Sequence, residues 1–224
     1  MRIHTFVLLA ALTLAILTGC KREKAGQGLE FLQQDLPIQG DTTWIKEVRP
    51  TKPFKAIYIF DVDDVNILTG QKWRVEIEGP ACYVEEQKTE VEDTTLVVKF
   101  ANHDTHYRKT RLNICVPVLN DIEITGCRLA TLCGPPVITS NIYVELNKVE
   151  LAVFSAALQA RDLTIKTANM GEGVFYVHAS NMQLYVKHAK SAKFKGSADS
   201  LDVKSTDRSA IDLTELSIGE ILKR

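Results

Sequence analysis

Three carboxylates crowd the stretch Phe60-Asp61-Val62-Asp63-Asp64, and paired carboxylates are what a glycosidase sets on either side of the bond it cuts. Period-two alternation puts Asp61 and Asp63 on one solvent face, opposite Val62. A solvated strand end has the same pattern, and that is the reading favoured here. His103 and His106 stand three apart in His103-Asp104-Thr105-His106, a spacing at which a loop can hold a metal, but no further ligand cluster accompanies them. A serine elbow, a phosphate loop and Cys-x-x-Cys are all absent from the sequence. No catalytic residue, cofactor or metal is therefore assigned, and a non-enzyme is expected.

Lysine placement is the more informative surface feature. Three apolar-x-apolar triplets each end in a lysine: Leu163-Thr164-Ile165-Lys166, Leu184-Tyr185-Val186-Lys187 and Leu201-Asp202-Val203-Lys204. If these segments lie side by side, Lys166, Lys187 and Lys204 form one outward row, with Thr164, Tyr185 and Asp202 as its neighbour. Like charges at strand spacing repel, so such a row needs something to offset it. One use is contact with an anionic glycan or lipopolysaccharide, with Tyr185 stacking on a sugar ring; the plainer one is protection of the sheet against aggregation. Lys190, Lys193 and Lys195 add to the basic character of the region.

What must position these residues is a chain of strands. From Phe54 onward the period is two, in "KAIYIFDVDDVNI", "WRVEIEG", "TLVVKF", "RLNICV" and "DIEIT". From about residue 120 the triplets recur. Ile122, Ile142, Leu163, Leu184 and Leu201 open them at steps of 20, 21, 21 and 17, and Val153, Val174, Phe194 and Leu213 run between at 21, 20 and 19. A near-constant step predicts an all-β fold, a right-handed parallel β-helix solenoid with coils of about 20 residues, each burying its inner row only on its neighbours. Gly171, Gly173, Ser191, Gly196, Ser197, Ser205 and Ser209 are the expected corner residues.

The N-terminus reads differently. Met1, Arg2 and His4 precede Phe6 to Leu17, an apolar run too short to cross a bilayer, which takes about 20 residues. It fits the apolar region of a secretory signal. The Leu17-Thr18-Gly19-Cys20 that follows resembles the lipobox of bacterial lipoproteins. The resemblance implies cleavage between Gly19 and Cys20 and acylation of Cys20, a thioether anchor held by membrane lipid and placed in the outer membrane. Lys21, Arg22 and Lys24 would lie on anionic headgroups. Residues 1–19 are thus a signal peptide, 20–50 a polar lipid-anchored tether and 51–224 the β domain. Among the other cysteines, Cys82, Cys115, Cys127 and Cys133, the pair Cys127 and Cys133 flanks a turn-like segment and is expected to form a disulfide, while Cys115 sits in an apolar strand.

A net charge of −1 gives no support to nucleic-acid binding. The order "FKAIYIFDVDDVNILTG", "VEIEG", "LVVKF", "LNICVPVLNDIEITG" and then the triplets resembles the head GIN domain of Bacteroidetes lipoproteins, over about residues 50 to 220. That resemblance implies an adhesin-like, non-catalytic binding or scaffolding module of the bacterial envelope. A polysaccharide-active enzyme and a periplasmic structural partner of another envelope protein are the alternatives.

Overall fold

Alternation in the sequence becomes alternation in burial. In β2 (Ala56–Phe60), Ile57 and Ile59 are 1% exposed while Tyr58 between them is 38% exposed. The same rule builds β1 (Trp44–Arg49), β3 (Asp64–Thr69), β4 (Arg74–Pro80), β5 (Gln87–Glu92), β6 (Thr95–Phe100), β7 (Arg111–Val116), β8 (Asp121–Cys133), β9 (Val137–Ser205) and β10 (Ile211–Leu222). One short helix, α1 (Ala81–Glu86), joins β4 to β5. These elements come from a computed structural model, which describes residues 40–100 and 109–222.

The strands form one ten-stranded sheet, with β1-β4-β7-β3-β8-β2-β6-β5 as its main path and β9 and β10 branching from β8. Pairs β1/β4, β4/β7 and β5/β6 are antiparallel. The β2/β6, β2/β8, β3/β7, β3/β8, β8/β9 and β9/β10 pairs are parallel. This corrects the fold expected from the sequence. The body is a mixed all-β sheet curved into a nearly closed barrel, not a right-handed parallel β-helix solenoid. Alternation specifies which face of a strand is buried but carries no information on its direction or its neighbour. Two turns reverse the chain where the repeat had no say: the two-residue turn between Glu92 and Thr95, with Asp93 at φ 54°, and α1. β1 also pairs with β4 along all six of its residues, so the sheet reaches back into the stretch expected to be tether.

β8 shows how the sheet bends. Asp121–Thr125 run beside β2 and Leu129–Leu132 beside β3. Between them Gly126 takes φ 72°, and a Cβ there would lie 2.3 Å from Asp61 Oδ1. A straight strand of 69 residues would extend on the order of 230 Å, so β9 must turn repeatedly as well. It does so at Lys148, Asn169 and His188, with φ of 53°, 51° and 52°. Gly126 and Lys148 are flanked by the pairs Thr125↔Asn147 and Cys127↔Val149. Asn169 Nδ2 donates to Asn147 Oδ1 at 3.3 Å. Of the expected corner residues only Gly196, at φ 117°, has a left-handed backbone; a Cβ there would meet the Val177 carbonyl oxygen at 2.0 Å.

Register in this region is set from inside. Leu132 pairs with Phe154. The Phe154 and Phe175 rings meet edge to face at 5.3 Å, and the Phe175 and Phe194 rings stack at 5.2 Å. All three are fully buried. Ile122 pairs with Val144, two residues beyond the partner that the triplets suggested. Because Phe175 fills the space between two other rings, F175A is expected to cost about 3–5 kcal/mol in equilibrium urea denaturation. H188G, which relieves a side chain from a left-handed corner, is expected to gain about 0.5–1 kcal/mol in the same measurement.

Candidate functional site

On the outer face the three lysine-ended triplets lie close together, but Lys204 stands across from Tyr185 and not from Lys187, so the lysines do not form the single row expected from the sequence. Lys166 Nζ lies 4.8 Å from the centre of the Tyr143 ring and 5.7 Å from that of Tyr185. Lys204 Nζ lies 5.0 Å from the Tyr185 ring centre and 3.4 Å from its hydroxyl. Lys187 is exposed and shares with Lys166, Tyr185 and Lys204 a groove of about 440 Å³. Tyr185 therefore does not stand open for a sugar ring: its faces are taken by the protein's own ammonium groups, which the ring quadrupole attracts. Tyr143 and Glu145 were missed from the sequence, although Ile142-Tyr143-Val144-Glu145 repeats the triplet with glutamate in the lysine place.

Electrostatics divide this face in two. The Tyr143 hydroxyl and, less strongly, Glu145 and Tyr185 hold the Lys166 ammonium above the ordinary lysine value. Tyr143 donates its hydroxyl hydrogen to Glu145, and burial followed by this bond raises its own pKa. On the far side, Glu123 pairs directly with Glu145 across the strands. Burial first, then these like charges, raises the carboxyl pKa of Asp121 and of Glu123. The neighbouring lysines behave otherwise. Lys190 bonds Glu172 at 2.7 Å, Lys193 bonds Glu215 at 2.5 Å, and Lys195 bonds Glu215 at 2.9 Å.

The carboxylate trio belongs to a different structure. Asp64 is 7% exposed and is held by Arg128 and by Arg111, the latter at 3.6 Å. Asp63 pairs with Arg128 at 3.3 Å, and burial, the largest influence, still pushes its carboxyl up. Asp61 occupies a corner at φ 54°, not one face with Asp63. From Asp64 the network runs through Arg111 to Glu78, and from Glu78 through Lys46 and Glu76 to Arg74. Asn66 and Asn113 bridge Thr131 to Glu78. Asp63, Asp64, Glu76 and Glu78 each face a basic partner, which suits holding strands together better than cutting a bond.

The expected Cys127–Cys133 disulfide is corrected by the geometry. Both lie on β8, six residues apart, and their segment is strand instead of turn. At strand rise they are on the order of 20 Å apart, where a disulfide needs Cα atoms within about 7 Å. Cys127 is buried, its thiol donates to the Leu129 carbonyl oxygen at 2.9 Å, and burial pushes its pKa up to about 12. Cys82, Cys115, Cys127 and Cys133 are all free thiols. Gly19, Cys20, Lys21, Arg22, Lys24, His103 and His106 lie outside the described residues. Among the described residues no group of three or more His, Cys, Asp or Glu side chains could hold a metal, and no helix is long and apolar enough to cross a membrane.

Comparison with known proteins gives the geometry a context. The model of a family described as "Putative auto-transporter adhesin, head GIN domain" matches residues 53–222. A crystal structure of a "putative adhesin" from Parabacteroides distasonis ATCC 8503 is similar at TM-score 0.67 and 15% identity, over 81% of this chain and 78% of that one. Another "putative adhesin", from Bacteroides fragilis NCTC 9343, aligns at TM-score 0.47 and 15% identity over 80% of this chain and 94% of that one. No curated protein matches.

The two charge systems predict separable behaviour. Lys46, then Arg74, hold the Glu76 carboxyl below its ordinary value near 4.5. The folded state therefore binds fewer protons there than the unfolded chain, so this contribution is complete above about pH 4.5 and is lost as pH falls through the lower folded value. Asp63, Asp121 and Glu123, pushed up, act with the opposite sign. The difference between wild type and E76Q isolates the Glu76 part: E76Q is expected to be less stable at pH 7 and to converge on wild type towards pH 3 in urea denaturation. In thiol labelling of the native protein, Cys133, which is exposed, is expected to react while Cys127 reacts only after unfolding.

Proposed function

The chain belongs to the head GIN domain family, and on that premise we propose that it is a non-catalytic binding or scaffolding module of the bacterial envelope, with the Tyr143–Lys166–Tyr185–Lys204 face as its contact for an anionic partner. One observation carries the reading. Lys190, Lys193 and Lys195 are each neutralised by a carboxylate within 2.9 Å. The triplet lysines are not. Among the described residues Lys166 and Lys187 have no carboxylate in ion-pair range, and Lys204 has only Asp202 at 3.9 Å. Lys166 and Lys204 are held in place by tyrosine rings, and Lys187 is exposed beside them.

The envelope part of the proposal rests on sequence. Leu17-Thr18-Gly19-Cys20 after an apolar run supports cleavage before Cys20 and acylation of its thiol. Two or three acyl chains give a firm anchor, since each buried methylene contributes about 0.8 kcal/mol. Residues from Cys20 to the start of β1 at Trp44 then separate the lipid from the sheet. Lys21, Arg22 and Lys24 beside the anchor suit the anionic headgroups of an outer membrane.

Two measurements test this function. The triple variant K166Q/K187Q/K204Q is expected to lose about tenfold or more in affinity for acidic glycans on an array, as three exposed ion pairs together allow. Unchanged binding would remove the face from the proposal. C20A is expected to move the protein from the membrane fraction to the soluble one, with loss of the acyl mass from its N-terminal peptide.

A further inference from the structure

We infer that residues 81–92, helix α1 with strand β5, form a strap that lifts off the barrel as a unit, ahead of global unfolding. The strap is held along one side only. Among the described residues β5 pairs with β6 and with no other strand; it is one end of the main path, and β1 is the other. No ladder joins these two ends. What crosses between them is Arg49 of β1, whose Nη2 donates to the Val84 carbonyl oxygen of α1 at 2.6 Å. The first turn of α1 is tied just before β1, its Ala81 and Cys82 amides donating to the Thr43 and Asp41 carbonyl oxygens at 2.8 and 3.1 Å. Both ends of the strap are turning points: Pro80 ahead of α1, and the two-residue turn after Glu92, with Asp93 at φ 54°.

The inner face of the strap sets it apart from the rest of the sheet. Gln87 and Thr89 stand opposite Phe100 and Val98 of β6, both buried, so the two polar side chains point into the barrel. Gln87 is 2% exposed, yet neither its amide nitrogen nor its amide oxygen has a hydrogen-bond partner among the described residues. Thr89 Oγ1 and Arg49 Nε lack one as well. The backbone amide of Gln87 donates to the same Val84 carbonyl oxygen that Arg49 holds, which gathers these groups at the join. A buried polar atom without a partner disfavours the closed state, because water satisfies it once the strap lifts. By contrast, the inward residues of β7 are Leu112, Ile114 and Val116, and that strand has a ladder on both sides. Closure therefore gains less at the strap than at β7, and lifting frees the edge of β6.

The test is native-state hydrogen exchange of the full chain, read by mass spectrometry over a series of low urea concentrations. Peptides from 81–92 are expected to exchange about a hundredfold faster than those of β7. Their rate should also depend far less on urea, since a partial opening exposes little surface. Q87M keeps the length of the side chain and removes both unpartnered amide atoms; it should slow exchange of the strap about tenfold. T89V, which removes the hydroxyl at nearly constant shape, should slow it about threefold. A strap with the protection and urea dependence of β7 overturns the inference. So does a Q87M rate equal to or above that of wild type, because a buried water would then be satisfying Gln87 and holding the strap shut.

Discussion

Everything on the outer face of the C-terminal half follows from the register of its inner face. Phe154, Phe175 and Phe194 stack in one buried column at 5.3 and 5.2 Å. A sheet has a side-chain period of two, so a slip of one residue would expose an aromatic ring and bury a neighbour. Rings of this size cannot be accommodated twice over in a close-packed interior. The column thus fixes which residue of each pass lies opposite which. With it fixed, Lys166 must fall between Tyr143 and Tyr185, and Lys204 beside Tyr185. The face is a consequence of the core.

Keeping that register over a chain that bends requires corners that agree with each other. Lys148, Asn169 and His188 all take φ near 52°, a region that disfavours L side chains by roughly 1–2 kcal/mol each. The cost is tolerable because neighbouring passes share it, and the corner at Asn169 is tied to the one before it by the Asn147 amide. Asp61 and Gly126 hold the same backbone at the opposite end of this row, Asp61 donating its amide to the Thr125 carbonyl oxygen at 2.9 Å.

This explains which parts of the molecule were legible in the residues. The alternation in "KAIYIF" or "LNICV" reports burial, so strands and their inner faces could be read. Direction and partner could not, because α1 and the Asp93 turn are local features that a hydrophobic period does not encode. The inner column was misread by one residue at Val153 and Val174, since an apolar neighbour at a half-buried place mimics the ring beside it. The corners were sought at glycine and serine, yet lysine, asparagine and histidine occupy three of them. The lysines were legible as outward residues because alternation sets their face, but not as one row, because the step between passes shortens and brings Lys204 opposite Tyr185. The network around Glu76 was not, because Lys46, Arg74 and Arg111 come from three separate strands.

The two ends of the sheet treat charge in opposite ways, and this difference gives the face its meaning. Around Glu76 and Asp64, arginine, lysine and amide groups from neighbouring strands satisfy each carboxylate, and the product is cohesion. Around Tyr185 the positive groups are positioned on rings, with a carboxylate only at longer range, Asp202 at 3.9 Å from Lys204. A cation held over a ring keeps nearly all of its long-range field, since the ring has no net charge, while its side chain loses freedom that binding would otherwise have to take away.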